Sequence, residues 1–312
     1  EQLLASGHAY QKGDDVFFRI DSIKDYGELS KQVVDNLDYG KRIDVDSNKE
    51  NPYDFVLWKK TNEGITWDSP FGKGRPGWHT ECVVMINKIF GGKIDIHGGG
   101  IDLKFPHHEN EMAQSKAAWN HKLANYWMHN GHVLVDGVKM SKSLGNFILA
   151  RDLLNKYSAN VIRLGILKTS YRLPFDFTDT LFAETKTIDE KVYNALKQAN
   201  LVIQINDMQT GLIKQDEKIN EIMNEDFNTP NLITYLLDLV KDLNNRLRNK
   251  TDFIEVFDKI NLVNYILGLK YELVELSIED KELYKSWLNY RDSKDFTNAD
   301  RVRKELIEKN IL

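Results

Sequence analysis

Residues 94–103 read Ile-Asp-Ile-His-Gly-Gly-Gly-Ile-Asp-Leu, a short apolar stretch that runs directly into three glycines. The apolar stretch predicts a short strand ending at Ile96. Helical spacing precedes it from Thr80 to Phe90 and follows it from His107 to Asn120, and residues 132–135 predict another strand. Because strands that alternate with helices form parallel sheets, this order predicts an α/β fold that binds ligands beyond the carboxyl ends of its strands.

The overall composition is that of an ordinary globular protein. The chain has 312 residues, 41% of them hydrophobic, and a net charge of −5, so any nucleic-acid contact must come from local basic patches. No stretch approaches the ~18 apolar residues of a membrane span, and no signal peptide is recognisable. Cys82 is the only cysteine, which excludes an internal disulfide. These features predict a cytoplasmic protein of two or three domains that does not contact membranes.

Residues 138–147 form a loop that carries two lysines. They read Val-Lys-Met-Ser-Lys-Ser-Leu-Gly-Asn-Phe and follow Asp136-Gly137, a turn signal. Lys139 and Lys142 can therefore reach one phosphate chain together, and the loop predicts phosphate chemistry. The alternative is a solvated surface loop.

Cys82, His107 and Glu111 have the donor chemistry of a metal site. His107 and Glu111 are four residues apart on the predicted helix, so their side chains leave the same face. A thiolate, an imidazole and a carboxylate together suit zinc. The alternative is a core cysteine beside a helix-capping histidine. A His-Glu-x-x-His metalloprotease motif is excluded, because position 112 holds methionine.

Four ordered blocks, at residues 74–82, 95–103, 105–111 and 138–147, together resemble the cysteinyl family of class I aminoacyl-tRNA synthetases. The resemblance implies the second half of a class I Rossmann-like parallel-sheet catalytic domain, followed by an α-helical tRNA-binding domain. It implies a cysteine-tRNA ligase that uses ATP with magnesium to form cysteinyl-adenylate from L-cysteine and transfers the cysteinyl group to tRNA(Cys).

The same resemblance implies roles for individual residues. One zinc ion per subunit would be held by Cys82, His107, Glu111 and a cysteine upstream, and would bind the substrate thiol. Lys142 and Lys139 would contact ATP, and His97 would act near the reacting carboxylate. The substrate and nucleotide pocket would be formed by a tryptophan, three glycines and an aspartate: Trp78, Gly98, Gly99, Gly100 and Asp102.

The resemblance also implies a domain order, and a monomer. We expect the tail of a connective insertion at 1–75, the second half of the catalytic domain at 76–138, a lysine-loop and stem-contact region at 139–182, a helical bundle of DALR type at 183–272 and an incomplete anticodon-binding region at 273–312. Thr229 is expected to cap a helix there, and Arg246, Arg248 and Lys250 near its end are candidates for phosphate contacts.

Family features expected at the two ends are not found in this stretch, among them the first zinc cysteine and a His-Ile-Gly-His-type motif, so activity of this stretch alone is doubtful. Two other interpretations stay open at this point. One is a cysteine ligase of the mycothiol pathway, which shares the zinc and lysine-loop motifs. The other is a non-catalytic tRNA-binding fragment.

Overall fold

The computed structural model describes residues 1–32 and 48–312. They form two compact units, Glu1–His132 and Val133–Leu312. Within the described residues, no helix combines the length and the apolar character that crossing a membrane requires. The domain boundaries expected from the sequence remain predictions.

The first unit is a mixture of strands and helices. Its elements are α1 (Gln2–Ala5), β1 (Ala9–Lys12), β2 (Asp15–Phe18), β3 (Phe55–Lys60), β4 (Gly74–Pro76), α2 (Trp78–Phe90), β5 (Ile94–Gly100), α3 (Glu109–Trp119) and β6 (Ala124–Asn130). Strands β1 to β4 form an antiparallel sheet in chain order, whereas β5 and β6 pair in parallel. Apolar side chains of β1, β2 and β3, with Ala113 of α3, form the core beneath the antiparallel sheet.

The parallel pair confirms the α/β fold, but the predicted end of β5 is wrong. Strand β5 does not end at Ile96; it continues through Gly98, Gly99 and Gly100, which pair with Met128, His129 and Asn130 of β6. The glycines therefore form the carboxyl end of the strand. Backbone pairing with β6 explains the difference, since a ladder of hydrogen bonds overrides the weak strand propensity of glycine.

Gly77 joins the antiparallel sheet to helix α2. Its N–H donates to the carbonyl of Leu57 in β3 at 2.9 Å. A Cβ atom at this position would lie 1.8 Å from the carbonyl oxygen of Val56, so only glycine lets the chain pass this close to the strand. The start of α2, with Trp78 and Cys82, is fixed against β3 in this way.

Helix α3 begins two residues later than the sequence predicts. His107 lies in a π-helical turn, Lys104–His108, that precedes the helix and contains the cis peptide bond Phe105-Pro106. Glu109, at the first position of α3, is buried and accepts hydrogen bonds from the N–H groups of Gly27 and Ser30 at 3.0 and 2.7 Å. Pro106 has no N–H group and keeps Phe105 out of helical geometry, so the regular helix begins only after the proline.

The second unit is mainly helical. Its elements are β7 (Val133–Val135), β8 (Val138–Lys139), α4 (Ala150–Leu154), α5 (Ala159–Leu167), β9 (Phe175–Phe177), α6 (Asp179–Ile205), α7 (Glu217–Asn224), α8 (Thr229–Asn249), α9 (Ile254–Leu267), α10 (Ile278–Asp292) and α11 (Phe296–Glu308). Strand β7 pairs antiparallel with β8 and parallel with β9. Helices α5, α6, α8 and α9 bury a large common core that includes Leu164, Leu196, Leu236 and Ile260.

The expected cap of α8 is displaced by one residue. Asn228, not Thr229, is the N-cap, and its side chain accepts from the N–H of Asn231 at 3.2 Å. The Thr229 hydroxyl instead donates to the carbonyl of Leu167 in α5 at 2.7 Å. Because the Thr229 hydroxyl bonds to α5, it does not cap α8.

Candidate metal centre and lysine loop

Three donor atoms from two segments of the first unit converge on one point. The Sγ atom of Cys82 lies 3.8 Å from Nε2 of His107, and that nitrogen lies 2.8 Å from Oε1 of Glu111. All three ligand atoms lie within 4.8 Å of one another, and His107 and Glu111 are buried. The structure thus brings together the three residues that the sequence selected as metal ligands.

His107 is held from its other side by a second histidine. Its Nδ1 atom lies 2.8 Å from Nδ1 of His79, so one of the two rings donates to the other. Burial lowers the pKa of His79 to about 4, which keeps this ring neutral near pH 7. A metal-binding histidine commonly has its second ring nitrogen fixed by such a partner.

Glu111 is completely buried and uses its two oxygens differently. Oε2 lies 2.7 Å from Nε2 of His97 on β5, a hydrogen bond from imidazole to carboxylate. Burial by itself would raise the pKa of Glu111, but the bond from His97 and the nearby His107 and His108 outweigh it, so the pKa is lowered and the carboxylate is charged. Oε1 has no hydrogen-bond partner, although His107 is close to it.

His97 thus contacts a metal-ligand candidate, and the ring of His108 packs against the His97 ring with the ring centres 4.7 Å apart. His97, His108 and Glu111 form a second group of convergent donor atoms. The Nδ1 atom of His108 lies 2.8 Å from Nε2 of His129 on β6, and burial lowers the pKa of His108 to about 4. A Cβ atom on Gly99 would lie 2.9 Å from the His108 ring, so the glycine makes room for an imidazole at this point.

Sequence reasoning missed His79, His108 and His129 as members of this cluster. In the structure, five of the eight histidines of the chain meet here. His79 and His108 could have been found from the sequence, because each is adjacent to a residue that was selected, Trp78 and His107. The position of His129 had no local signal, because it depends on the register between β5 and β6.

The thiol of Cys82 is protonated in these surroundings unless a cation is added. Burial, followed by the charge of Glu111, raises its pKa to about 11. A soft thiol, an imidazole nitrogen held by a partner and a buried carboxylate oxygen without a donor form a set that a zinc ion would satisfy, because it would neutralise the carboxylate and deprotonate the thiol. The residues present therefore fit zinc.

The remaining predicted pocket residues of the first unit lie around this cluster. Trp78 is 60% exposed, and its indole packs against the His107 ring with the ring centres 4.2 Å apart. Gly98 and Gly100 lie on the same strand as His97, and Asp102 is exposed in the 3-10 turn that follows. Trp78 and His97 thus border the cluster directly, whereas Asp102 lies at the strand end.

The lysine loop belongs to the second unit. The turn Asp136-Gly137 joins β7 to β8, and both of its residues have positive φ angles, as expected for a tight hairpin. Lys139 ends β8, and Lys142 is exposed three residues later.

Asn146 closes the loop around these lysines. Its side chain accepts from the N–H of Ser141 at 2.9 Å and donates to the carbonyl of Lys139 at 3.2 Å. The loop backbone is therefore ordered, while the Lys142 ammonium group remains in solvent.

Comparisons with known proteins agree along the whole chain. Residues 1–187 match the family of tRNA synthetases class I (C) catalytic domains, and residues 218–271 match the DALR domain family. A cysteine–tRNA ligase of Acholeplasma laidlawii is 44% identical over 100% of this chain and 71% of its own length. Cysteine–tRNA ligases of Halalkalibacterium halodurans and Staphylococcus aureus (strain MRSA252) are each 42% identical over 99% and 100% of this chain and 70% of their own lengths.

Proposed function

The chain belongs to the cysteine–tRNA ligase family of class I aminoacyl-tRNA synthetases, and on this premise we propose that Cys82, His107 and Glu111 hold a zinc ion that selects the substrate thiol. The enzyme joins cysteine to tRNA at the expense of ATP. The other two interpretations, a mycothiol-pathway ligase and a non-catalytic tRNA-binding fragment, are not favoured, since relatives of one activity match the chain from end to end.

The observation that carries the zinc proposal is the buried Oε1 atom of Glu111. It is a charged acceptor without a hydrogen-bond donor, and Sγ of Cys82 and Nε2 of His107 converge beside it. Leaving such an acceptor unpaired costs about 1–3 kcal/mol or more, so a cation explains why it is retained. When bound, zinc supplies a soft Lewis acid that prefers a thiolate to a hydroxyl.

The surrounding residues orient this site and the amino acid. His79 fixes the ring of His107, and His97 holds the second oxygen of Glu111. Trp78 covers the cluster from the solvent side and offers a flat surface for the substrate side chain. Adenosine would lie along the strand end formed by Gly98, Gly99 and Gly100, where the His108 ring occupies the side-chain space of Gly99. Asp102 would accept a hydrogen bond from the ribose or the amino group.

The lysine loop acts on the other substrate. Activation is an attack of the cysteine carboxylate on the α-phosphate of ATP, with pyrophosphate as the leaving group and magnesium on the phosphates. Lys142, assisted by Lys139, neutralises the charge that develops on these phosphates, which is the main task of a protein in phosphoryl transfer. The cysteinyl group then passes to tRNA(Cys).

Metal analysis of the purified protein tests the zinc site. We expect about one zinc per chain in the wild type and a clear loss in Glu111→Gln, which keeps the size of the side chain but weakens the ligand. Glu81→Gln is the matched control, because Glu81 is adjacent to Cys82 on α2 and exposed. Equal zinc content in all three proteins would reject the ligand assignment.

A further inference from the structure

A second group of donor atoms lies beside the proposed zinc site. One ligand atom each of His97, His108 and Glu111 lies within 4.8 Å of the other two. The Nε2 atom of His97 lies 2.7 Å from Oε2 of Glu111, whereas Nε2 of His107 lies 2.8 Å from Oε1. The two groups therefore share only the carboxylate of Glu111, and they approach its two oxygens separately.

Both imidazoles of this second group are held in place by neighbours. The Nδ1 atom of His108 lies 2.8 Å from Nε2 of His129, which leaves Nε2 of His108 as the ligand atom. Metal-binding histidines commonly have their other ring nitrogen fixed by such a partner. The Trp127 ring packs against His97 and His108, with ring centres 4.8 and 5.1 Å apart. The two rings are thus oriented by packing before any ion binds.

The group can be reached from solvent on one side. His108 and Glu111 are buried, but the side chain of His97 is 18% exposed. An ion can therefore enter past His97. Three protein ligands leave a fourth position of a tetrahedral zinc ion for water or another small donor.

From this geometry we propose that His97, His108 and Glu111 form a second binding site for a zinc-type divalent cation, with Glu111 bridging the two ions. Two imidazole nitrogens and one carboxylate oxygen are a known zinc ligand set, and imidazole favours zinc, cobalt or nickel over magnesium and calcium. The inference goes beyond the proposed function, because its ligands converge whether or not the first site is filled.

The second ion should bind more weakly than the first. The first site has the thiolate of Cys82, whereas the second has only neutral imidazoles and a share of the Glu111 charge. An ion at this site also takes the lone pair on Nε2 of His97, so the proton donated from that atom to Glu111 must move to Nδ1. Because a hydrogen bond is lost in this exchange, the second site is filled only at higher free zinc.

Equilibrium dialysis against increasing free zinc tests the second site. We expect one ion per wild-type chain at low free zinc and a second at high free zinc. In His108→Asn, the amide nitrogen can replace Nδ1 beside His129, but nothing replaces Nε2. This variant should bind the second ion at least about a hundredfold more weakly and the first ion unchanged, since losing even an outer partner of a ligand costs about 10–100-fold.

His121→Asn is the matched control. His121 belongs to the same unit but lies outside the group, with Nδ1 3.2 Å from the hydroxyl of Ser115. This variant should bind both ions like wild type. A wild type that never binds a second ion would overturn the proposal, and so would a second ion that His108→Asn binds as tightly, because it would be adventitious.

Cobalt in place of zinc shows whether the variants stay folded. Only the first site contains a thiolate, so only its cobalt complex has a sulfur-to-cobalt charge-transfer band. His108→Asn should keep this band. His97→Gln, whose amide can still donate to Glu111, should keep the band as well and lose the second ion. Normal binding of the second ion by His97→Gln would also overturn the proposal.

Cys82→Ser separates this inference from the proposed function. The variant should lose the charge-transfer band and still bind one cobalt ion through nitrogen and oxygen ligands. Wild type that lacks the tight ion but binds a weaker ion dependent on His108 would contradict the proposed zinc site alone. Wild type with the tight ion and no ion dependent on His108 would contradict the second site alone.

Discussion

His107 and Glu111 approach each other to 2.8 Å, between Nε2 and Oε1, without forming a hydrogen bond. Both atoms face the same small space as Sγ of Cys82. Each side chain also has a second contact, His107 with His79 and Glu111 with His97. A buried carboxylate oxygen without a hydrogen-bond donor is unfavourable by itself and becomes favourable around a cation.

Selection of cysteine over serine should depend on the metal ligands. A thiol that binds the metal as a thiolate is favoured far beyond the 1–3 kcal/mol or so that apolar packing alone provides. We expect wild-type enzyme to activate cysteine at least about a thousandfold better than serine in pyrophosphate exchange, and Cys82→Ser and Glu111→Ala to lose most of this ratio. Wild type that activates serine within about tenfold of cysteine would show that the metal is only structural.

Lys142→Ala should slow adenylate formation much more than it weakens cysteine binding. The ammonium group acts on charge that develops during transfer, and removal of one such donor lowers the rate by about 10²–10³. The test is pyrophosphate exchange with a measured KM for cysteine. Lys214→Ala is the control, since Lys214 is an exposed lysine outside the loop. A similar rate for both variants would exclude Lys142 from catalysis.

Gly77→Ala should damage both the fold and the metal site. The added Cβ atom would lie 1.8 Å from the carbonyl oxygen of Val56, so β3 and the start of α2 must separate. We expect a loss of about 3 kcal/mol or more in the free energy of unfolding, measured in urea, together with a lower zinc content. The control is Gly91→Ala at the C-terminal end of the same helix. Gly91 has a φ of 76°, and a Cβ atom there would have no neighbour within 4 Å, so this variant should lose only about 1–2 kcal/mol in the free energy of unfolding.

Glu28 should stabilise the first unit in a pH-dependent way. Hydrogen bonds from Lys116 and Lys122, each at 2.7 Å, lower its pKa from 4.5 to about 2. A lowered pKa means that the contribution is complete above pH 4.5 and is lost as the pH falls toward about 2. The urea midpoint of Glu28→Gln should therefore lie below that of wild type at pH 7. The difference between the two midpoints should become smaller as the pH falls from 4.5 to 3.

The control for that experiment is Glu63→Gln, an exposed glutamate without an ion pair among the described residues. Its urea midpoint should follow that of wild type at every pH. A gap for Glu28→Gln that stays constant with pH would mean that the two lysines do not act on the charge of this carboxylate. High salt should also reduce the gap, because the pairs lie near the surface.

The sequence predicted correctly those features that depend on residue type and spacing within a short segment. Cys82, His107 and Glu111 were selected from their donor types and a four-residue interval, and they meet although His107 lies outside the regular helix. The α/β alternation was readable for the same reason. The extension of β5 through its glycines, and the place of His129 beside His108, depend on pairing with β6, which no local pattern encodes. The cap of α8 was missed because Thr229 bonds to Leu167, a residue 62 positions away.

Helix α6 links three separate hydrophobic clusters of the second unit. Phe182 in its first turns packs with Leu153 and Val161, its middle belongs to the large helical core, and Leu201 near its end packs with Val302 and Leu306. A helix of 27 residues is about 40 Å long and has no proline or glycine at which it could bend. It therefore gives the second unit one straight element that ties the core of the segment after the lysine loop to the core of the C-terminal helices.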